Sequence, residues 1–439
     1  MTPNRGQLII FGVIGAIVLF VVLIIFGVIP GLRPALPDKF TIDVWGFEDE
    51  EFWRKIGERY HKEFRHIAIE YKKKDPASYE RELLNALAAG SGPDIFVLKN
   101  TEIEEHKDKL LPLPEVELSF RARDYKNTFF NAAALDLITP EGAILGLPLT
   151  LDTLALYYNR DHLNSANISS PPATWEDLTE AVKRLTTYSE VGTVVRSGIA
   201  LGTSANVEHA VDILSALMIQ SGVELVDRQE RKSQLVARNT PLGIPEPAEA
   251  ALAFYTSFAN PAKRTYAWSG FFPNSLDAFA QGKTAIIIGY ASDAPRIVKK
   301  NPHLSFDAAL FPQPENASIK TYYGRYSFKA VSKQSKRGTD AWKLLLWLGN
   351  KENDKMFAEA LELAPARRDL VLERAPKEHL DVFYSQVLSA KTWFIPDEDK
   401  IAALLTEMID AVVNKTATGE AAVGRAHTRL DNFLSPKFQ

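Results

Sequence analysis

The chain begins with an uninterrupted apolar segment. The 22 positions from Leu8 to Ile29 hold only apolar side chains and glycine. A helix of that length spans roughly 33 Å, which is enough to cross the hydrocarbon core of a bilayer. We therefore predict a short cytoplasmic N-terminus over 1–7, a transmembrane anchor over 8–29 and a proline-rich spacer over 30–37.

A cleavable signal peptide is the alternative interpretation of this segment. Signal peptides usually have a shorter apolar region and a small-x-small exit, whereas this segment continues into "IPGLRPALPDKF". Arg5 on one flank is balanced by Arg33 and Lys39 on the other, so flanking charge does not decide the orientation. We expect the folded part of the chain to lie on the extracytoplasmic side of the cell membrane, tied to it by a single pass.

After the spacer, the pattern alternates between strand and helix. Phe40, Ile42 and Val44 alternate as in a strand, a segment of helical spacing follows, and "IAIEY" returns to period two. Another helix ends near Gly90, and "PDIFVL" is a continuous apolar strand. The order β-α-β-α-β predicts a mostly parallel sheet with helices on its faces and ligands at the carboxyl ends of its strands.

The rest of the chain shows the same mixture of helices and strands. In "PPATWEDLTEAVKRL", Thr174 is a predicted N-cap with Asp177 three positions later, and "KTAIIIGY" is a buried strand. The C-terminal part is helical, with a break at Gly419. These elements predict a second α/β lobe followed by C-terminal helices.

Composition narrows the possible functions. A chain of 439 residues that is 46% hydrophobic can bury at least two substantial cores. Its net charge of −4 argues against nucleic acid as a partner. The absence of cysteine excludes disulfides, thiolate nucleophiles, cysteine-bound zinc and the cysteine-linked lipid of bacterial lipoproteins.

Motifs for catalysis or metal binding are not convincing. Gly-Lys-Thr at 282–284 is not a phosphate-binding loop, because the first glycine of that motif is replaced by Asp277 and a helix precedes it. His61 and His66 do not share a helix face. We therefore predict no catalytic residue, metal or cofactor. A glycan-active hydrolase stays open as an alternative, because its two carboxylates need no fixed spacing.

Five motifs, in their order along the chain, resemble those of extracellular solute-binding protein family 1, which includes maltose-binding protein. They are "GSGPDIFVL", "GLPLTLDTLALYYNRDHL", "PPATWEDL", "DAFAQGKTAIIIGY" and "LAPARRDL". The sequence departs from the usual pattern at Ile286, where methionine is common, and at the extra alanine Ala364.

The resemblance implies a two-lobed, type II periplasmic-binding-protein-like α/β fold over 38–439. The first lobe would comprise about 38–153 and 311–365 and the second about 154–310, with helices over 366–439 completing both. Such proteins hold a small solute, here a sugar or oligosaccharide, in the interlobe cleft and deliver it to the permease subunits of an ABC importer. A solute sensor acting with a signalling partner is a further alternative.

Asp152 is the foremost candidate for contacting the solute. It interrupts a strand-like segment at the predicted crossing between lobes, where the family often has an acid that accepts hydrogen bonds from the solute. The alternative is an acid that caps a loop or pairs with Arg160. The full set of candidate ligand-binding residues is Trp45, Glu48, Asn100, Asp152, Trp268, Tyr290, Arg325 and Trp393.

These other candidates also have simpler interpretations. Aromatic rings at the ends of elements can stack on a sugar, but tryptophan more often packs in a core. Glu48 lies beside a helix start and needs no ligand to explain it. Arg325 could bind a carboxylate of the solute or pair with a neighbouring acid.

Overall fold

The computed structural model describes residues 5–25, 38–237, 244–373, 375 and 377–435. The strands are β1 Phe40–Gly46, β2 Ile67–Lys73, β3 Ile95–Lys99, β4 Leu147–Pro148, β5 Thr150–Thr153, β6 Ala155–Asn159, β7 Thr187–Tyr188, β8 Val194–Arg196, β9 Val226–Asp227, β10 Lys232–Ser233, β11 Ile286–Gly289, β12 Phe306–Ala309, β13 Tyr322–Arg325, β14 Ser327–Val331, β15 Ala364–Pro365 and β16 Ala390–Lys391.

The α-helices alternate with these strands. They are α1 Arg5–Ile25, α2 Glu50–Glu63, α3 Tyr79–Ala88, α4 Ile103–His106, α5 Glu115–Leu118, α6 Ala122–Thr128, α7 Asn131–Leu137, α8 Arg160–Ser165, α9 Trp175–Leu185, α10 Ala210–Gln220, α11 Pro247–Ser257, α12 Ser275–Ala280, α13 Ala294–Lys300, α14 Gly338–Leu348, α15 Lys351–Leu361, α16 Asp381–Gln386, α17 Glu398–Val413 and α18 Gly419–Leu434. Short 3₁₀ turns join several of them.

The first sheet has five strands in the order β2-β1-β3-β14-β4. Its strands β2, β1 and β3 are parallel, as the β-α-β-α-β pattern predicts, whereas β14 runs antiparallel to β3 and to β4. The antiparallel strands come from distant parts of the chain, so the local pattern carries no information about them. We call this sheet, with α2 and α14 packed on it, the first lobe.

The second lobe is built on a smaller sheet. Its three strands lie in the order β11-β6-β12, and both β11 and β12 pair antiparallel with the central β6. The helices α10 and α11 pack together in this lobe, and the C-terminal α17 and α18 pack against them. Thr174 caps α9 by accepting a hydrogen bond from the Asp177 amide at 3.0 Å, as its motif predicts.

Two strands cross between these lobes. In the four-stranded sheet β15-β5-β13-β16, β5 leads from the first lobe towards the second and β13 leads back. They pair antiparallel, with Asp152 opposite Arg325 and Thr153 opposite Gly324. The crossing therefore brings two candidate site residues to neighbouring positions. The exact lobe boundaries stay a prediction.

The N-terminal segment is only partly described. The helix α1 covers Arg5–Ile25, whereas the last part of the predicted anchor at 26–29 and the predicted spacer at 30–37 lie outside the described residues. Among the helices of the described residues, none is both long and apolar enough to span a membrane.

A comparison of two glycines tests the packing of the second lobe. Both Gly202 and Gly142 have positive φ, at 111° and 94°. A Cβ at Gly202 would lie 2.7 Å from the Ala259 amide nitrogen, whereas a Cβ at Gly142 would meet nothing within 4 Å. We expect Gly202→Ala to lower the free energy of unfolding by about 3 kcal/mol and Gly142→Ala by only about 1 kcal/mol. Denaturant unfolding measures both, and equal losses would contradict this packing.

Candidate functional site

A cavity of about 320 Å³ lies where the first sheet meets the crossing strands. The carboxyl ends of the parallel strands β1 and β3 open into it, which is where ligands of such sheets bind. One wall comes from the crossing strands and from the strand β14, and Ser292 reaches it from the second lobe. The lining consists of Phe47, Glu48, Val97, Lys99, Asn100, Thr101, Leu149, Thr150, Asp152, Ser292, Arg325, Tyr326, Ser327, Phe328, Lys329, Phe357, Leu361 and Leu363.

Asp152 joins the crossing strand to the second lobe. Its two carboxylate oxygens accept hydrogen bonds from the amides of Ala291 at 2.7 Å and Ser292 at 3.1 Å. The predicted alternative of a pair with Arg160 does not occur, because Arg160 binds Asp307 at 2.5 Å. The carboxylate thus holds a loop, as the capping alternative expects, and it also lines the cavity.

The ionisation of Asp152 is shifted by its surroundings. Burial raises the pKa of Asp152 to about 6, although the hydrogen bonds from Ser292 and Ala291 act in the opposite direction. The nearby Asp293 carboxylate adds to the increase. Among the described residues, no lysine, arginine or histidine nitrogen lies within 4 Å of the Asp152 carboxylate, so a further hydrogen-bond donor would stabilise its charged form.

Glu48 forms a buried ion pair at the cavity wall. One carboxylate oxygen binds Lys329 Nζ at 2.6 Å, and the other accepts hydrogen bonds from Trp53 Nε1 and the Tyr71 hydroxyl. Burial acts to raise the pKa of Glu48, but the attraction of Lys329 together with the hydrogen bonds to the carboxylate holds this pKa below its ordinary value. The pair is therefore charged, and both charges are neutralised within the protein.

Arg325 connects the crossing strand to two helices of the second lobe. Its Nη2 atom binds Asp212 at 2.6 Å on α10, and its Nη1 atom binds Glu398 at 2.7 Å at the start of α17. Arg325 therefore pairs with neighbouring acids, which is the simpler of its two predicted roles.

The same Glu398 also contacts the first lobe. It binds Lys99 Nζ at 3.1 Å and accepts a hydrogen bond from the Thr101 hydroxyl at 2.9 Å. Lys99 and Thr101 both lie at the carboxyl end of β3 and line the cavity. A single carboxylate thus links the first lobe, the crossing strand and the second lobe.

Asn100 follows directly after β3. Its Oδ1 atom accepts a hydrogen bond from the Tyr326 amide at 3.2 Å, which ties the end of β3 to the segment between β13 and β14. Four of the eight candidate residues therefore line the cavity: Glu48, Asn100, Asp152 and Arg325.

The four aromatic candidates lie outside the lining of this cavity. Trp45 lies within β1, not after it, and its ring packs under Lys74 Nζ at 3.6 Å. Trp268 is fully buried, stacks on Phe272 and donates to Asn206 at 2.9 Å. Both side chains pack in the core, which was the simpler interpretation of these tryptophans. Their contact with a ligand stays a prediction.

Tyr290 and Trp393 are also buried. The Tyr290 hydroxyl donates to Asp212 at 2.9 Å and so supports the carboxylate that binds Arg325. The Trp393 indole nitrogen has no hydrogen-bond partner among the described residues. Tyr290 is adjacent to the loop that Asp152 holds, so it contributes to the crossing indirectly.

Several lining residues were missed by sequence reasoning. Phe47 is half-buried and directly follows β1, so the expectation that ligands bind at the carboxyl ends of the strands could have identified it. Ser327 is exposed on the lining and its hydroxyl makes no hydrogen bond among the described residues. No sequence pattern indicated Lys329 as a lining residue, because its partner Glu48 is distant in the sequence and only the folded sheet brings the two together.

Comparison with known families identifies the kind of protein. The family model described as bacterial extracellular solute-binding protein matches residues 55–382. The chain belongs to this family. The predicted resemblance is thereby confirmed, and the family is one of binding proteins, so the hydrolase alternative receives no support.

Individual relatives are distant. A putative binding protein of Brucella abortus (strain 2308) is 21% identical over 372 residues, covering 81% of this chain and 82% of the relative. The sugar-binding protein MalE from Xanthomonas citri superposes with a TM-score of 0.75 at 20% identity, covering 91% and 98% of the two chains. The maltose-binding periplasmic protein MalE from Listeria monocytogenes gives a TM-score of 0.72 at 17% identity, covering 91% and 99%. These structures confirm the two-lobed periplasmic-binding-protein-like fold.

The raised pKa of Asp152 makes stability depend on pH. The folded state holds the proton more tightly than the unfolded state, whose pKa is near the ordinary 3.8. The free energy of unfolding should therefore fall by about 1 to 3 kcal/mol as pH rises from about 4 to above 6. Asp152→Asn removes the titrating group and with it this fall. The difference in the free energy of unfolding between the variant and the wild type should therefore change between about pH 4 and pH 6. Parallel stability curves for the two proteins would contradict the assignment.

Proposed function

We propose that this solute-binding protein captures a sugar or short oligosaccharide in the cavity beside the crossing strands. The observation that carries the proposal is the cavity itself, which combines apolar walls with polar groups at the junction of the lobes. Aromatic rings and leucines can pack on the C–H faces of a sugar, while carboxylate, amide and hydroxyl groups bind its hydroxyls. The apolar lining residues are Phe47, Val97, Leu149, Phe328, Phe357, Leu361 and Leu363.

The pairing of charges favours a neutral ligand. The three cations of the lining are Lys99, Arg325 and Lys329, and each of them already binds a carboxylate of the protein. An anionic ligand would have to displace one of those carboxylates. Asp152, in contrast, is a hydrogen-bond acceptor that suits the hydroxyl donors of a neutral sugar.

The size of the cavity favours a small sugar. Its volume of about 320 Å³ is at the lower end of the range of roughly 300–1,000 Å³ for small-molecule sites. Solved relatives are described as bound with α-D-tagatose, maltose, maltotetraose and mannotriose. We infer that the described cavity accommodates one or two sugar rings.

The proposal extends to the role of the protein at the membrane. The apolar run 8–29 would anchor the chain, and its last residues lie outside the part that the structure describes. The lobes, divided near 153 and 311 as the sequence predicts, would close on the sugar, and the closed form would deliver it to the permease subunits of an ABC importer.

A ligand screen tests this function on the full-length protein in detergent. We expect at least one of maltose, maltotetraose, mannotriose or tagatose to raise the melting temperature, because a ligand bound only by the native state stabilises it. Titration calorimetry with that sugar should show about tenfold weaker binding for Phe47→Ala and for Asp152→Asn.

The matched control is Phe271→Ala. Phe271 is fully exposed and does not line the cavity, so its removal should leave the affinity unchanged. Wild-type affinity in both the Phe47 and the Asp152 variants would exclude this cavity as the site. Failure of every sugar to stabilise the protein would contradict the proposed ligand class.

A further inference from the structure

A second cluster of polar side chains lies on the first lobe, away from the cavity. Glu80 on α3 and the adjacent Glu105 and His106 on α4 place one potential ligand atom each within 4.8 Å of one another. None of the three lines the cavity beside the crossing strands. We propose that this cluster is a binding site for a divalent transition-metal ion such as Zn²⁺.

The state of His106 is the main observation. Only 2% of this residue is exposed, yet neither ring nitrogen has a hydrogen-bond partner among the described residues. A neutral imidazole carries one donor and one acceptor, and leaving such groups buried without partners costs free energy. A metal ion bound to Nε2 would satisfy the acceptor.

The distances suit coordination. The His106 Nε2 atom lies 3.5 Å from the nearer Glu80 carboxylate oxygen, and the pair does not form a hydrogen bond. Two ligands that bind a tetrahedral zinc ion at about 2.0 to 2.1 Å are separated by about 3.4 Å. The observed separation therefore leaves room for an ion between the two groups.

The charges of the cluster are unbalanced. Within the described residues, no lysine or arginine nitrogen lies within 4 Å of the Glu80 or Glu105 carboxylate, and Glu80 contacts only His106. Lys109 Nζ donates instead to the main-chain carbonyl of Glu105 at 3.4 Å. The neighbouring Glu104 is different, because it binds Lys107 at 2.9 Å and Arg231 at 3.5 Å. A dication would compensate the two charges that the protein leaves uncompensated.

A comparable cluster in the second lobe differs from this one because its charged groups are already paired within the protein. Glu208, His209 and Asp293 also bring their ligand atoms together. There, however, the Arg296 guanidinium binds both carboxylates, at 3.0 and 2.8 Å. The His209 ring contacts Asp293 at 2.7 Å, so the groups of this second cluster are already satisfied. The same reasoning therefore assigns no metal to it.

The donor set indicates the class of ion. One imidazole nitrogen and two carboxylate oxygens suit zinc and similar transition metals, whereas Mg²⁺ and Ca²⁺ prefer oxygen donors alone. Three protein ligands would leave a further position for water. No motif predicted the site, because Glu80 lies far from Glu105 and His106 in the sequence.

Zinc binding to the full-length protein tests the proposal. The protein is purified in detergent without a metal-binding tag, treated with a chelator and dialysed against ZnCl₂, and bound zinc is measured by mass spectrometry. We expect about one equivalent of zinc at about 10 µM free Zn²⁺, and about tenfold or greater loss of affinity in Glu80→Gln and in Glu105→Gln. Both carboxylates are exposed, so these variants should fold normally.

Spectroscopy and matched controls complete the design. Co²⁺ in place of Zn²⁺ should give the visible absorption of a tetrahedral site, and His106→Gln should remove it. His303→Gln and Glu315→Gln alter exposed residues outside the cluster and should change neither result. The proposal is overturned if the wild type binds no stoichiometric zinc, or if the Glu80 and Glu105 variants bind zinc as the wild type does.

Discussion

The structure depends on two charged residues that face each other where the chain crosses between its lobes. Asp152 on β5 is paired in register with Arg325 on β13, yet each side chain finds its partners in the second lobe. Asp152 binds the amides of Ala291 and Ser292, and Arg325 binds Asp212 and Glu398. Charges at such a half-buried position are costly unless they are satisfied, so the position of the second lobe is coupled to the crossing strands.

This coupling bears on the proposed response of the cavity to a ligand. The cavity lies against the same crossing strands, and the Glu398 carboxylate also reaches Lys99 and Thr101 at the end of β3. A ligand that binds between these groups interacts with both lobes and with the strands that join them. In the proposed function, a difference in its affinity for the open and closed arrangements would shift the balance between them.

Local patterns predicted the local parts of this architecture. The parallel strands β1, β2 and β3, the Thr174 cap and the break before Gly419 all follow from periodicity and capping, and the order of motifs predicted the fold. Glu48 and Asn100, two of the candidate residues from the sequence, also line the cavity. The buried pair of Glu48 with Lys329 and the network of Arg325 could not be predicted, because their partners are far apart in sequence. Trp45 and Trp268 were candidates for ligand contact but pack in the core. The sequence could not distinguish these roles, because an aromatic residue has the same local pattern whether it packs in a core or faces a ligand.

Electron–electron double resonance between the lobes tests the central claim most directly. The chain has no cysteine, so spin labels can be placed at Val116→Cys in the first lobe and Val191→Cys in the second, where the native side chains are 95% and 87% exposed. A second pair at Lys62→Cys and Val116→Cys lies within the first lobe and serves as the control. The account predicts that a saturating sugar ligand shifts the interlobe distance by more than about 2 Å and leaves the control distance unchanged. An interlobe distance that stays constant while the ligand is bound would contradict it.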